Sequence, residues 1–565
     1  MLTCHRIEKK LIMDNSCDGK YSKEEYSEFI LREGTIGRQA LDRYGDHCVE
    51  VINDKWIISS FNVKNTTDPT LERISYGLLP KMYGLCDITS VNAGGVGIVR
   101  EQPVLGLYGQ GTYICIIDTG INWRHKAFIN EDGTSKIVVL MDQESGIVYT
   151  NDDINEALDG SGGNIPEDEI GHGTYMAGIA AGNYDRAGGF SGVAPRAKLV
   201  VIKLRKANDF LRKFYLVPDG VPAYSEADVM RAVAFASEYA SQEKITLSYA
   251  IGVGTSLGSH TGASPLGSIL ADEGGIAGRC VSVAAGNEGN ERLHYEGHMT
   301  DEGPQRVEIR VGEGENGFIC ELWSFAPEVY SIEIISPTGQ IINRVPTRTG
   351  RSTVLNFAFE NTVIDVYYQL YESLSGQNMV AMRFESPAAG VWVLNVYGRD
   401  ITDGRYNIWI MNREFLSGDT FFTGSSPYTT ITNPANIYES ISVTAYNHRD
   451  NSIYFKNSRG YNSYGLIKPD FAAPGVGILV PSGEGEDKYV SASGTSIAVA
   501  YYAGMAALLQ EYGIIRGNLP FLRTSEIKNI TISGCLRQDG LKYPNREWGY
   551  GTVNLYNSLE SLRRE

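Results

Sequence analysis

In the stretch Ser493-Gly494-Thr495-Ser496-Ile497-Ala498, a turn of small residues leads into an apolar run over residues 499–509. This pattern predicts a helix that begins close to Ser496. The hydroxyl of Ser496 would then lie where unpaired N–H groups and the positive end of the helix dipole favour an anion. A Gly-Thr-Ser turn is also an ordinary helix cap. Its meaning therefore depends on three further motifs that precede it in the chain.

Each of these three motifs places a polar residue at the end of an apolar run or between glycines. The run 113–117 ends in Asp118, at the carboxyl end of a predicted buried strand, where open α/β sheets place their sites. His172 is flanked by two glycines and enters a helix of small residues. Asn287 follows a predicted strand and Gly286, and its side-chain amide can donate to a developing oxyanion.

In this order, the four motifs resemble the signatures of the subtilisin superfamily of serine proteases. The resemblance covers roughly residues 100–295 and 425–560. It implies that Ser496 is the nucleophile, that His172 is its general base and then acid, and that Asp118 orients the imidazole. It also implies that Asn287 is part of the oxyanion hole, as an Asn is in subtilisin.

A glycine-rich segment, Gly252-Val253-Gly254, follows the strand predicted over residues 245–251. It occupies the place of the family's substrate-binding segment, which is usually Ser-Leu-Gly in type. Backbone of this kind can pair with an extended peptide as an added strand. We therefore expect Gly252, Val253 and Gly254 to bind substrate.

The alternation of predicted strands and helices indicates an α/β fold, with a parallel sheet and helices on both faces. A chain of 565 residues is too long for one ordinary core. We expect four segments: an N-terminal α+β prosegment over 1–89, a first part of the subtilase core over 90–292, an inserted β-sandwich or jelly roll over 293–424, and a second part of the core over 425–565.

The N-terminal segment contains three predicted strands, around residues 29–31, 48–52 and 56–63, with helical stretches between them. These residues alone are compatible with an ordinary N-terminal domain. The family resemblance implies a prosegment that templates folding and leaves its tail in the substrate cleft. We expect autoprocessing near residues 86–90, with the cleaved prosegment retained as a partner.

The inserted segment consists of short alternating runs bounded by turn residues, at 307–311, 332–335, 380–384, 391–397 and 406–410. This spacing is typical of a β-sandwich or jelly roll. A carbohydrate-binding role is the alternative to a rigid structural insertion. The structural role is favoured because no residue within the segment marks a ligand site.

The amino-acid composition limits the classes of partner that the protein is expected to bind. The formal charge of −17 argues against binding to nucleic acid or to an anionic membrane surface. No segment approaches the ~20 apolar residues of a membrane span, and residues 1–13 lack the apolar core of a secretory signal, so we expect a protein made inside the cell. The eight cysteines are scattered and are expected to be reduced structural thiols.

No cofactor and no metal are predicted. His294 and His298 could form a metal pair at i, i+4 on a helix. Nearby glycines disfavour a helix there, and no third ligand is evident. Tyr175 stands where the family usually has a second histidine, but that position is outside the triad.

Within the superfamily, the chain most resembles the Csp germination proteases of clostridial spores. The resemblance rests on the absent secretory signal, the long prosegment, the turn Gly258-Ser259-His260-Thr261-Gly262 and the insertion after Asn287. It implies a spore protein whose protein substrate is the zymogen of a cortex-lytic hydrolase, activated by limited cleavage during germination. Some relatives have lost triad residues, so a catalytically idle signalling protein is one alternative and a general intracellular subtilisin is another. The filled triad positions favour an enzyme.

Overall fold

The computed structural model describes residues 26–32, 47–62, 78–85, 93–301 and 303–563. The first three ranges contain the strands β1 (Tyr26–Arg32), β2 (His47–Val51), β3 (Trp56–Asn62) and β4 (Met82–Leu85). Strand β3 lies between β1 and β2 and pairs antiparallel with both, and we call this the N-terminal sheet. The three predicted strands are therefore present. The helices predicted between them and the junction at 86–90 lie outside the described residues.

The core before the insertion alternates strands with helices. Its strands are β5 (Tyr113–Asp118), β6 (Ile137–Asp142), β7 (Ile147–Thr150), β8 (Lys198–Lys203), β9 (Tyr224–Ser225), β10 (Leu247–Ile251), β11 (Val253–Gly254) and β12 (Arg279–Ala284). Its helices are α1 (Val96–Glu101), α2 (Asn151–Leu158), α3 (His172–Ala181), α4 (Asp209–Phe214), α5 (Glu226–Gln242) and α6 (Pro265–Gly274), with a 3₁₀ turn at Lys126–Phe128.

The insertion is built from antiparallel strands. They are β13 (His294–His298), β14 (Gln305–Val311), β15 (Gly317–Ser324), β16 (Val329–Ile335), β17 (Ile341–Ile342), β18 (Arg351–Phe357), β19 (Thr362–Gln369), β20 (Asn378–Glu385), β21 (Gly390–Arg399), β22 (Arg405–Ile410) and β23 (Phe421–Phe422). They form two sheets, in the orders β13-β22-β15-β20-β19-β18 and β17-β16-β21-β14-β23. Each of the five predicted runs is a strand in one of them. A 3₁₀ turn at Arg413–Phe415 lies between β22 and β23.

The core resumes after the insertion with β24 (Ile441–Asn447), β25 (Ser452–Ile453), β26 (Phe471–Pro474), β27 (Val476–Pro481) and β28 (Tyr489–Ser493). Its helices are α7 (Thr495–Gln510), α8 (Thr524–Gly534) and α9 (Leu555–Ser561), and a π-helical turn at Glu511–Ile515 continues α7. Helix α7 begins one residue before Ser496, as the sequence predicts. In the part of the chain that the structure describes, no helix is long and apolar enough to cross a membrane.

The core sheet is mixed, although the sequence predicts a parallel one. Its nine strands lie in the order β25-β24-β12-β10-β5-β8-β6-β7, with β26 also beside β24. Strands β26, β24, β12, β10, β5, β8 and β6 are parallel. Strands β7 and β25 pair antiparallel with β6 and β24 because short loops connect them to these neighbours, and a short loop can join only antiparallel strands.

Alternate residues of the central strand face two different helical layers. On β5, Ile114 and Ile116 pack in a buried cluster with α3 and α7, whereas Cys115 and Ile117 pack in a cluster with α5 and α6. All four side chains are fully buried. Because successive side chains of a strand point to opposite faces, a strand covered on both faces must be apolar throughout. This explains the continuous run before Asp118.

A further hydrophobic cluster joins the insertion to the N-terminal sheet and to the core. It includes Phe318 and Trp392 from the two insertion sheets, Phe61 from β3 and Phe210 from α4. The rings of Phe61 and Phe210 are in edge contact, with centroids 6.1 Å apart. The three parts of the molecule therefore share one apolar interior, and separating them would expose it to water.

The cysteine prediction is correct at four positions and wrong at one. Cys115, Cys280, Cys320 and Cys535 are free and buried, and burial raises the pKa of each thiol. Cys48, on β2, is instead in a disulfide bond. The spacing of cysteines along a chain does not reveal which of them meet in space.

Trp392 offers a test of how far the insertion contributes to stability. It is fully buried, with its ring against those of Phe357 and Phe384. Trp392→Ala is expected to lower the free energy of unfolding by about 3–5 kcal/mol because it leaves a cavity. Urea unfolding in a Ser496→Ala background, which lacks the predicted nucleophile, measures the change.

The matched control is Phe359→Ala, since the Phe359 side chain is 83% exposed. This control is expected to change the free energy of unfolding by less than ~0.5 kcal/mol. Equal effects of the two substitutions would contradict the role of the insertion core.

Candidate active site

Asp118, His172 and Ser496 meet at the carboxyl edge of the core sheet. Asp118 ends β5, His172 begins α3, and Ser496 lies in the first turn of α7. The Nδ1 atom of His172 is 2.7 Å from Oδ1 of Asp118, and its Nε2 atom is 3.1 Å from Oγ of Ser496. These are hydrogen-bond distances, so the imidazole connects the carboxylate to the hydroxyl. All three side chains are buried.

The start of α3 is fixed by Asp168, a residue that the sequence analysis did not single out. Its Oδ1 accepts a hydrogen bond from Gly171 N, and its Oδ2 accepts from the backbone N and the hydroxyl of Thr174. These bonds satisfy backbone groups that the first turn of a helix leaves without intrahelical partners. An acid four residues before His172 was the available signal. Asp168 therefore sets the position from which the His172 side chain projects.

Close backbone approach explains the glycines around His172. A Cβ atom on Gly173 would lie 2.2 Å from the carbonyl oxygen of Gly120, which no side chain could tolerate. The backbone N of Gly173 donates to Oγ1 of Thr119, which ties α3 to the turn after β5. Asp118 also accepts from Thr119 N through Oδ1, so its carboxylate is oriented before it meets the imidazole.

Asn287 lies against the start of α7. Its Oδ1 accepts hydrogen bonds from the backbone N and the hydroxyl of Thr495, each at 3.3 Å. The amide oxygen is thereby engaged, and the two N–H groups of Nδ2 are the donors that the side chain has left to offer. Asn287 is brought beside Ser496, where the sequence predicts it.

The segment 252–254 pairs with a strand of the same chain. Strand β4 lies between β11 and β9 and is antiparallel to both, and we call the groove between β11 and β9 the cleft. In it, Val253 is opposite Leu85 and Gly254 is opposite Gly84. A Cβ atom on Gly252 would lie 3.0 Å from Oδ2 of Asp118, so the cleft passes directly over the triad. The sequence predicts the β11 wall, but β9 is too short to show a strand pattern.

The sequence analysis did not identify two acidic residues that lie next to the site. Glu288 follows Asn287, and its Oε2 accepts a hydrogen bond from the backbone N of Arg413. Oε1 of Glu414 is buried and accepts no hydrogen bond from the residues described. Burial raises the pKa of Glu288 to about 7. Burial, and after it the charge of Glu288, raises the pKa of Glu414 to about 8. Because Glu414 belongs to the insertion, the insertion reaches the wall of the active site.

The two histidines considered as a metal pair do not lie on a helix. His294 and His298 are on β13, where four residues span roughly 13 Å, and only His294 is buried. Within the ranges described, no group of three or more His, Cys, Asp or Glu residues could hold a metal ion.

Comparison with known proteins identifies the family. Residues 109–306 and 417–551 match the Subtilase family (Peptidase S8), which is more than half of the sequence. The chain belongs to the subtilase family. It is accordingly a subtilisin-like serine peptidase. The unmatched residues 307–416 contain most of the strands of the two antiparallel sheets.

Individual relatives agree with this assignment. The structure of the Clostridium perfringens CspB protease is 30% identical, with a TM-score of 0.75, and the alignment covers 84% of this chain and 98% of that one. The major intracellular serine protease of Bacillus subtilis (strain 168) is 24% identical over 263 residues, which are 45% of this chain and 67% of the relative. The serine protease AprX of the same organism is 33% identical over 122 residues, 20% of this chain and 26% of the relative.

The raised pKa of Glu414 predicts how stability depends on pH. In the folded protein the pKa of Glu414 is about 8, against an ordinary value of 4.5, so between these values only the unfolded chain releases the proton. The stability that neutral Glu414 contributes is therefore full below about pH 4.5 and is lost as pH rises towards 8. The Glu414→Gln variant has no ionisable group at this position. Its free energy of unfolding is therefore expected to decrease less as the pH rises.

Urea unfolding of Ser496→Ala proteins at about pH 5 and about pH 8 measures the slope. The control is Glu313→Gln, because Glu313 is exposed on the same insertion. Its slope is expected to equal that of the parent. Parallel slopes for the Glu414→Gln protein and the parent would contradict the prediction.

Proposed function

We propose that this subtilase is a serine endopeptidase that uses Ser496 as nucleophile and His172 as general base and then acid. The supporting observation is the pair of hydrogen bonds that His172 makes, to Asp118 at 2.7 Å and to Ser496 at 3.1 Å. Asp118 holds the ring so that Nε2 takes the proton from Oγ, and its charge stabilises the imidazolium that forms. The proton then passes to the leaving amine.

The negatively charged oxygen of the tetrahedral intermediate needs hydrogen-bond donors of its own. Asn287 is beside Ser496, and we assign its Nδ2 to the oxyanion because its Oδ1 is already bound by Thr495. The N-terminal end of α7 adds backbone N–H groups and the positive end of a helix dipole at the same place.

Substitutions in the triad test these roles. Ser496→Ala and His172→Ala are each expected to lower kcat for peptide hydrolysis by about 10⁶-fold, the size known for these residues in subtilisin. Asp118→Asn is expected to lower kcat less, because the nucleophile remains while the ring loses its orientation. Asn287→Ala is expected to cost roughly 10²–10³-fold in kcat. Steady-state kinetics with a chromogenic peptide measures all four.

The exposed Asn290 is a matched control for Asn287, and Asn290→Ala is expected to leave kcat unchanged. Hydrolysis that survives in Ser496→Ala would refute the assignment of the nucleophile.

We propose that residues 1–89 are a prosegment which the enzyme cuts from itself. Strand β4 supports this because it occupies the cleft as an extended strand, in the register Val253 to Leu85. The described part of β4 ends at Leu85, and we place the cut after Cys86, at the start of the predicted junction at 86–90. In the same proposal, residues 293–424 are a jelly-roll insertion that supports both the core and the prosegment.

A buried ion network supports retention of the prosegment after the cut. Arg231, on α5, donates to Glu28 of β1 at 2.5 Å and to Glu50 of β2 at 2.7 Å. It also donates to Asp228, which Arg205 contacts as well. The network lies in the interior, with at most 8% of any of these side chains exposed. Replacing Glu28 or Glu50 would leave Arg231 buried with part of its charge uncompensated, which costs about 3–5 kcal/mol, so the packed position of the N-terminal sheet depends on these carboxylates.

Size analysis tests processing and retention together. Wild-type protein is expected to elute from gel filtration as one species and to give fragments of about 10 and 52 kDa on reducing, denaturing electrophoresis. Ser496→Ala is expected to give one uncut chain. Glu28→Gln with Glu50→Gln is expected to weaken retention, so that the small fragment elutes separately. A single uncut band in active wild-type protein would contradict autoprocessing.

We propose that the physiological substrate is the zymogen of a spore cortex-lytic hydrolase, activated by one limited cut during germination, and that the enzyme resides in the spore. Support comes from the similarity to CspB over nearly the whole of that structure. An occupied cleft also suits an enzyme that makes few cuts. The experiment is incubation with a purified hydrolase precursor, followed by N-terminal sequencing of the product.

General intracellular proteolysis is the second candidate, because the chain is also similar to the major intracellular serine protease of Bacillus subtilis. Rapid, Ser496-dependent digestion of casein, with no selective cut in the hydrolase precursor, would favour it.

A further inference from the structure

An ion pair connects the insertion to the residue that precedes β4. The Nζ atom of Lys81 lies 2.9 Å from Oε1 of Glu321, which is on β15. The Glu321 side chain is fully buried, and that of Lys81 is 18% exposed. The insertion therefore places a negative charge at the end of the cleft from which β4 enters.

Glu321 is held in place by groups other than Lys81. Its Oε2 accepts hydrogen bonds from the backbone N of Gly258, in the loop that follows β11, and from Nε1 of Trp323. One carboxylate oxygen is thus fixed by the core and by the insertion, while the other oxygen faces the cationic side chain. A buried carboxylate needs such a partner, because burying an unpaired charge is costly.

The backbone of Lys81 continues the pairing of β4 with the cleft wall. Its N–H donates to Oε2 of Glu226 at 3.3 Å, and its carbonyl oxygen accepts from Glu226 N at 2.9 Å. Glu226 follows β9, whose Ser225 is opposite Met82. Lys81 therefore occupies a defined register position, four residues before Leu85. Any peptide that takes the place of β4 puts its own residue at that position.

We propose that Glu321 is a specificity-determining residue that selects a lysine or arginine in the substrate, at the position that Lys81 takes in the cleft. The inference rests on the proposed function in one respect, namely that β4 lies along the path of the substrate. The proposal also changes the role assigned to the insertion, which the sequence analysis expected to be structural. The insertion recognises substrate in addition to supporting the core. A single charge-assisted hydrogen bond of this kind corresponds to roughly tenfold or more in kcat/KM.

The test uses processed wild-type enzyme and peptides with the sequence of residues 79–86, followed by a fluorogenic leaving group. Four peptides carry Lys, Arg, Met or Glu at the position of Lys81. The ratio of kcat/KM values between peptides is the readout, because a retained prosegment tail lowers every rate by the same factor and cancels in the ratio. The Lys and Arg peptides are expected to exceed the Met peptide by roughly tenfold, and the Glu peptide to be the slowest.

Glu321→Gln keeps the shape of the side chain and removes its charge. In this variant the ratio between Lys and Met peptides is expected to fall to within about twofold of unity, which leaves a discrimination below ~0.5 kcal/mol. A merely structural role would alter all four rates together and leave the ratio as it is. Glu296→Gln, at an exposed position of the same insertion, is the control and is expected to keep the wild-type ratio.

The wild-type comparison stands even if Glu321→Gln fails to fold. Equal Ser496-dependent rates for the Lys, Met and Glu peptides would overturn the inference and leave the proposed peptidase mechanism intact. An absence of Ser496-dependent cleavage of every peptide would overturn the proposed mechanism and this inference with it.

Discussion

The arrangement of the site depends on one contact, the hydrogen bond between the Asp118 carboxylate and the imidazole of His172. For this bond to form, α3 must begin directly beside the end of β5, which requires backbone of the two elements to touch at Gly173 and Gly120. Gly252 follows β10, which pairs with β5, so the wall of the cleft lies against the same carboxylate. The parallel sheet is the scaffold that makes this convergence possible, since its strands end at one edge.

The cleft is assembled from three parts of the chain. The core supplies β9 and β11, the N-terminal region supplies β4, and the insertion supplies Glu321 and Glu414 at two of its borders. A shared hydrophobic cluster holds the insertion and the N-terminal sheet against the core. The proposed recognition of substrate is therefore linked to folding stability, because Glu321 lies on a sheet whose packing also stabilises the molecule.

Sequence reasoning was most successful where the signal is local. Asp118, His172, Asn287 and Ser496 each sit in a short motif at the end of a strand or the start of a helix, and the structure brings all four together. The main strands of the insertion were also evident from alternation and turns. These features can be predicted from the periodicity of a single segment and from the rule that parallel strands end at one edge of a sheet.

What the sequence could not show depends on contacts between distant segments. Glu321 is 240 residues from Lys81, and Glu414 is brought to Glu288 only by the fold of the whole insertion. The disulfide at Cys48 is of the same kind. Each requires a pairing partner that no local pattern identifies.

The double-sided pairing of β4 has a consequence for the form in which a substrate can be presented. A chain in that slot pairs with β9 at residues 82 and 83 and with β11 at residues 84 and 85, so it must be extended and must leave each of these edges unoccupied. A helix would have to unwind over about five residues, and a strand within a sheet would have to leave it. Along the proposed path of the substrate, folded proteins would be cut only in exposed linkers or in locally unfolded segments. The slot would then act as a conformational filter, which selects the state of the target polypeptide before any side chain is read.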